Sequence, residues 1–189
     1  MPINIQFVAM SAKVNALLEE IRASRKKILE EAKTLSATDA ARRVRPGTWS
    51  VQDVLEHLVL AERVGFDFIY TAAEKYRAGE PVWAGVSSNE GLTIEKIIEN
   101  TWQEKEKAPE SATPTGKYSA GVWAAHLRNC DDLLENLLPI LDGLPLNEVV
   151  YPHFLCGPLN VIQRLEFIRF HIDRHLLQVI AIKESLQAG

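Results

Sequence analysis

Residues 50–69 run Ser50-Val51-Gln52-Asp53-Val54-Leu55-Glu56-His57-Leu58-Val59-Leu60-Ala61-Glu62-Arg63-Val64-Gly65-Phe66-Asp67-Phe68-Ile69. Apolar residues recur at helical spacing through Val54, Leu55, Leu58, Ala61, Phe68 and Ile69. Ser50 with Asp53 three positions on is close to a capping box, so a helix is expected to open at Ser50. It is expected to run to about Arg77, where Gly79-Glu80-Pro81 stops it. Upstream, Arg45-Pro46-Gly47-Thr48 is a turn signal. Before it, Ser11 to Leu35 carries Val14, Leu17, Leu18, Ile21 and Ile28 near a 3.6 period, the mark of a first amphipathic helix. Two more long helices follow downstream. One is expected over Ser119–Leu141 (Val122, Ala125, Leu133, Leu137), closed by Asp142-Gly143-Leu144-Pro145. The last is expected to start at Gly157-Pro158, with proline in the first turn, and to reach about Gln187.

Between the second and third long helices lies an irregular insertion, 81–118, holding a shorter polar helix over Thr93–Lys107 and a Pro-, Ser- and Thr-rich loop. Glu148-Val149-Val150-Tyr151 is too short and isolated to count as a strand. Nothing repeats at a fixed period. The expected fold is all-α: one domain over residues 1–189, an antiparallel four-helix bundle with a long crossover containing an extra short helix.

The chain has 189 residues, 47% hydrophobic and 24% charged, with a net charge of −4. A core of this size needs neither disulfide nor structural metal, so a bound metal would serve function. No basic field exists to hold phosphates, which argues against nucleic acid. Two cysteines, Cys130 and Cys156, fit a reducing compartment. Met1-Pro2-Ile3-Asn4-Ile5 lacks the basic n-region and long apolar run of a signal peptide, and no apolar stretch of about 18 residues occurs, so a cytoplasmic protein with no membrane association is expected.

His171-Ile172-Asp173-Arg174-His175 places two imidazoles at i and i+4, about 40° apart around the last helix and about 6 Å along it. Two such nitrogens can meet one divalent ion. Five histidines form ten pairs, so chance gives this spacing in roughly one such chain in ten. The neighbouring rows hold Ile168, Ile172 and Val179, which turns both histidines toward the bundle; Glu166, Arg169 and Asp173 form the polar stripe. Buried imidazoles need partners, and a shared ion meets that need simply. His57 lies in a row with Ala61, Val64 and Phe68, while Glu56, Arg63 and Asp67 are expected to point away as surface charges. Three neutral imidazoles leave coordination positions open, as in catalytic sites.

The segment from Pro46 to Leu58, with Trp49-Ser50 ahead of His57-Leu58, resembles the "W-S…H-L" signature of the DinB-like family. His153-Phe154-Leu155-Cys156-Gly157-Pro158-Leu159 followed by His171 and His175 resembles that family's ending. These are bacterial DNA-damage-inducible proteins. The resemblance implies an antiparallel four-helix bundle, often a homodimer, with a divalent ion on His57, His171 and His175. Nickel or zinc is expected first, iron or manganese as alternatives. Some relatives are thiol-dependent transferases or isomerases, others metal-dependent hydrolases. In this chain Phe154 follows His153 where proline is usual, and Pro152 precedes it, so a different loop shape is expected.

The working expectation is a metal-dependent enzyme in which a low-molecular-weight thiol attacks an electrophilic small-molecule substrate. Hydrolysis is the alternative, and a non-catalytic stress-response bundle acting through dimer contacts is the third reading. No side chain stands out as general acid or base, and partners for the far imidazole nitrogens are expected but unidentified. His153 is a candidate to reach metal or substrate. Cys156 reads as a buried inert thiol or a reactive one near the site. Arg174 reads as solvated, or as a partner for an anionic group. His126 has no motif neighbour, and Trp49 looks like a packing anchor.

Overall fold

The computed structural model describes residues 5–101 and 107–188, with side chains from residue 12 onward. Its elements are α1 (Ile5–Lys33), α2 (Ala37–Ala41), α3 (Val51–Arg77), α4 (Ile94–Thr101), a 3-10 turn (Glu110–Ala112), α5 (Ala120–Leu141), β1 (Val150–His153), β2 (Gly157–Asn160) and α6 (Val161–Gln187). Helices α1, α3, α5 and α6 form the bundle. Two run up and two run down, and cross-helix pairs give the directions. Lys13, Glu20 and Glu31 of α1 meet Glu166, Arg169 and Lys183 of α6 in ascending order, so α1 and α6 are parallel. Arg22 and Arg25 meet Glu135 and Asp131 of α5 in the opposite order, so that pair is antiparallel. His57 faces His171 while Phe68 faces Arg164, so α3 opposes α6. Arg77, at the end of α3, donates to the carbonyl of Asp142 just past α5 (3.1 Å), so these two are parallel. Parallel neighbours need a long connection, which is what residues 78–119 supply.

The capping box at the start of α3 is complete. Ser50 Oγ accepts from Asp53 N (3.2 Å) and Asp53 Oδ2 accepts from Ser50 N (2.9 Å), with Arg43 Nε also on Oδ2 (3.1 Å). Such a cap stabilises the helix start by about 1 kcal/mol, and here it sets the position of His57 two turns further on. The main core takes Ile21 and Ile28 from α1, Leu55 and Leu58 from α3, Leu127 and Leu134 from α5, and Leu165 and Ile172 from α6. One charged cluster crosses it. Arg25, only 1% exposed, reaches Glu62 on α3 and Asp131 on α5. Burial pushes the Glu62 carboxyl up against the pull of the Arg25 guanidinium.

Several expectations need correction. The segment around Val150 is a strand after all: β1 pairs antiparallel with β2, with His153 opposite Gly157. The hairpin loop is Phe154-Leu155-Cys156, and Gly157 follows at φ +70°, a conformation glycine adopts without strain. Pro158 therefore lies in β2, and α6 starts three residues later. Its cap is Asn160, whose side chain accepts from Gln163 N (2.9 Å) while Gln163 Oε1 accepts from Asn160 N (3.1 Å). On α5 the buried row is Trp123, Leu127, Cys130, Leu134, Leu137 and Leu141; Val122 and Leu133 are exposed. The short helix of the crossover is described over Ile94–Thr101, and residues 102–106 of the expected Thr93–Lys107 span lie outside the described residues. Among the described residues no helix is long and apolar enough to cross a membrane.

The crossover packs at two places. Its first half makes a second small core of Ile94, Ile97, Ile98, Cys156 and Leu159, backed by Phe167 and Phe170. Cys156 is buried in that core. Asn89 Nδ2 donates to the carbonyls of Cys156 (2.6 Å) and Pro158 (2.9 Å), and Gln163 Nε2 donates to those of Asn89 (2.7 Å) and Leu92 (3.0 Å). The second half, residues 107–116, lies against α3.

Candidate metal centre

Three imidazoles converge between α3 and α6. His57 Nε2 and His175 Nε2 each stand 3.1 Å from His171 Nε2. A tetrahedral ion about 2.0–2.1 Å from each nitrogen would hold neighbouring nitrogens about 3.3 Å apart, so the spacing fits. His57 and His175 are buried, and His171 is half-buried. Burial pushes the His57 and His175 pKa values down, that of His175 to about 3. Burial and then the neighbouring His175 and His57 hold His171 well below the usual range. Neutral imidazoles are the metal-binding form.

The outer partners fix which nitrogen is free. His57 Nδ1 lies 2.7 Å from the carbonyl oxygen of Ala112, which can only accept, so Nδ1 carries the proton. His175 Nδ1 lies 2.7 Å from Gln178 Oε1 and donates in the same way. Both Nε2 atoms are then bare lone pairs aimed at His171 Nε2. His171 can place at most one proton between them, which leaves one contact lone pair against lone pair. A shared cation removes the conflict, and oriented outer hydrogen bonds of this type are the usual support of metal-bound histidines.

Glu56 contradicts the expectation of a surface charge. It is 1% exposed and its carboxylate accepts three hydrogen bonds: Thr115 N (2.8 Å) and Thr115 Oγ1 (2.7 Å) on Oε1, and Gly116 N (2.8 Å) on Oε2. A helix wheel turns Glu56 about 100° from His57, but that direction faces the crossover rather than water. Adjacent residues of α3 thus grip the same loop, Glu56 at Thr115 and Gly116, His57 at Ala112.

Trp49 packs on the core and also walls the site, its ring 4.8 Å from that of His57 and 6.2 Å from that of His175. His153 does not join the three Nε2 atoms. It is buried, and its Nδ1 accepts from Leu155 N (3.3 Å) and Cys156 N (3.1 Å), closing the hairpin loop. Asp173 pairs with Arg169 (3.2 Å), and His126 is exposed. Arg174 is exposed at the cavity rim.

A cavity of about 830 Å³ opens beside the histidines. Its walls are mostly apolar, with Val64, Phe68, Phe167 and Ile168 prominent, and the crossover residues 107–109 and 111–113 close one side. Sequence reasoning missed Gln178, Glu56, the Ala112 carbonyl and Arg164. Gln178 was within reach, because it sits at i+3 from His175 on the same face.

A family model described as the DinB superfamily matches residues 20–179. Among solved structures, the crystal structure of TT2238, a four-helix bundle protein, is similar at a TM-score of 0.54 and 18% identity, covering 89% of this chain and 98% of that one. At that identity the likeness speaks for the fold. No curated protein matches.

Proposed function

We propose, for a chain that belongs to the DinB superfamily, that His57, His171 and His175 hold a divalent ion, nickel or zinc, and that the protein is a thiol-dependent transferase acting on an electrophilic small molecule. The observation that carries the metal reading is the pair of bare Nε2 lone pairs directed at one point, with both Nδ1 protons committed elsewhere. When bound, such an ion supplies a Lewis-acid position that lowers the pKa of a thiol or water ligand.

The protein's own groups do the rest. Ala112 and Gln178 keep the imidazoles in one tautomer. Trp49 and Phe167 limit water around them. The apolar cavity takes up the organic part of the substrate. Transfer is favoured over hydrolysis because Glu56 is engaged by the crossover and Asp173 by Arg169, while Glu62 has Oε2 on Arg25 and only Oε1 without a partner. Hydrolysis would want a general base close to the attacking water, whereas a thiol, once ionised, is already a strong nucleophile.

Elemental analysis of untagged protein tests the site. Wild type is expected to carry about one ion per three-histidine site, and the double variant His171→Ala, His175→Ala none; equal content in both sinks the metal reading. Metal-loaded protein is then offered small thiols with an electrophilic aryl halide, and separately simple esters. Thiol-dependent turnover that falls at least a hundredfold in His57→Ala supports transfer. Ester turnover indifferent to thiol moves the assignment to hydrolysis.

A further inference from the structure

On α6 one stripe runs Arg164, Ile168, His171, His175, at helical spacings of four, three and four. Arg164 therefore sits two turns before His171, about 10 Å along the axis, and both line the same cavity. Arg164 is 5% exposed. Its Nη2 donates to the carbonyls of Tyr151 (3.2 Å) and Pro152 (2.6 Å), and its guanidinium lies 5.5 Å from the centre of the Phe68 ring and 5.6 Å from that of Tyr151. Its Nε–H is buried with no acceptor. Among the described residues no carboxylate pairs with it, whereas the other buried arginine, Arg25, has two.

A buried cation held only by neutral carbonyls and ring faces is an unbalanced charge. Tyr151 and Pro152 explain how the guanidinium is oriented; they do not explain why a charge is kept there. A structural role in bracing β1 could be filled by a neutral donor. The Nε of Arg25 is likewise without an acceptor, but of the two Arg164 alone lacks a carboxylate; a guanidinium with donor capacity to spare, on a residue that lines a mostly apolar cavity, has the chemistry for taking one.

We propose that Arg164 anchors the carboxylate of a small organic acid whose apolar middle passes Phe68 and Ile168 and whose far end reaches the three histidines. The contact with the histidines rests on the metal reading above; the carboxylate anchor does not. The acid can be either the thiol or its electrophilic partner, and the two sources give different results with the probes below.

The probes are hexanoate, hexan-1-ol, 6-mercaptohexanoate and 6-mercaptohexan-1-ol, with binding followed by calorimetry on the full chain. In metal-free wild type, hexanoate is expected to bind at least tenfold tighter than hexan-1-ol, and Arg164→Gln to erase that preference. Hexanoate no better than hexan-1-ol, or a preference kept in Arg164→Gln, overturns the anchor. Should that variant fail to fold, the Arg164 Nε–H resonance of wild type decides. It is assigned by its loss in Arg164→Lys, and it must shift on titration with hexanoate; no shift overturns the anchor.

In metal-loaded protein, 6-mercaptohexanoate gaining at least tenfold over hexanoate places the acid on the thiol. No gain in protein that elemental analysis shows to carry its ion, with the preference for hexanoate over hexan-1-ol intact, places it on the electrophile. A gain that survives His171→Ala, His175→Ala overturns the link to the histidines while leaving the anchor standing. Failure of the metal reading and failure of this proposal therefore produce different patterns.

Discussion

His153 shows how a single side chain can tie pH to the shape of the site. Its Nδ1 accepts two backbone N–H groups in the hairpin loop, so that nitrogen must stay unprotonated for the loop to hold. Burial, and then the Arg164 guanidinium, push its pKa down to about 3. The unfolded chain binds this proton near pH 6.5 and the folded one does not. Its contribution is therefore fully present above about pH 6.5 and is lost as pH falls toward 3. The expected slope from this group is about 1.4 kcal/mol per pH unit across that window. Urea unfolding of metal-free protein at pH 7, 6 and 5 measures it. His153→Asn, whose side-chain oxygen can still accept from the loop, is expected to flatten the wild-type slope by about that amount; the same slope in both would show that His153 does not titrate in this way. The proximity of His57, His171 and His175 was readable because i, i+4 spacing is a local property of one helix and His57 lay on an apolar row. The roles of His153 and Arg164 were not. Both depend on a hairpin whose strands are four residues long, each carrying a proline, which strand patterning does not reveal.

Among the elements, the crossover is the one whose function the structure makes clear. As sequence it was a long irregular insertion between two helices. Folded, its first half covers the hairpin and α6 through Asn89 and the three isoleucines of α4, and its second half is bolted to α3 by Glu56. No periodicity could reveal that bond, since Glu56 meets Thr115 and Gly116 about sixty residues away, on a stretch with no regular structure. The same limit explains α5: Val122 and Leu133 are as apolar as the residues that are buried, and only the position of the neighbouring helices chooses between the two rows. Glu56→Gln leaves the side chain in place but turns half of the acceptor into a donor facing backbone N–H groups. Losing charge-assisted bonds of this kind is expected to cost about 1.5–3 kcal/mol. Because the loosened loop carries the Ala112 carbonyl that orients His57, zinc affinity should fall about 10–100-fold as well. Competition against a chromogenic chelator reads the affinity, and urea unfolding reads the stability. An unaltered zinc affinity in a destabilised variant would mean that the loop does not support the site.

At the scale of the whole molecule, the question is whether the bundle would need the proposed ion. The sequence pointed to four helices because long amphipathic segments announce their own burial, and the structure shows a continuous core drawn from all four of them. That core, together with the Arg25 cluster joining α1, α3 and α5, forms without any contribution from the three histidines. They lie at one side, between α3 and α6, where the cavity opens. Removing metal should therefore leave a folded protein with a cooperative transition. Binding to the folded state alone adds about 4 kcal/mol when free metal is a thousandfold above its dissociation constant. For a chain of this size each kcal/mol moves Tm by about 2–4 °C, so metal loading should raise Tm by roughly 8–16 °C. Thermal scans of chelated and zinc-loaded protein make the comparison, with His171→Ala, His175→Ala as the reference that should gain nothing. A chelated protein with no cooperative transition would mean that the ion is part of the core's support. In that case the three histidines would form a structural site, and the open coordination position on which the proposed chemistry depends would lose its basis.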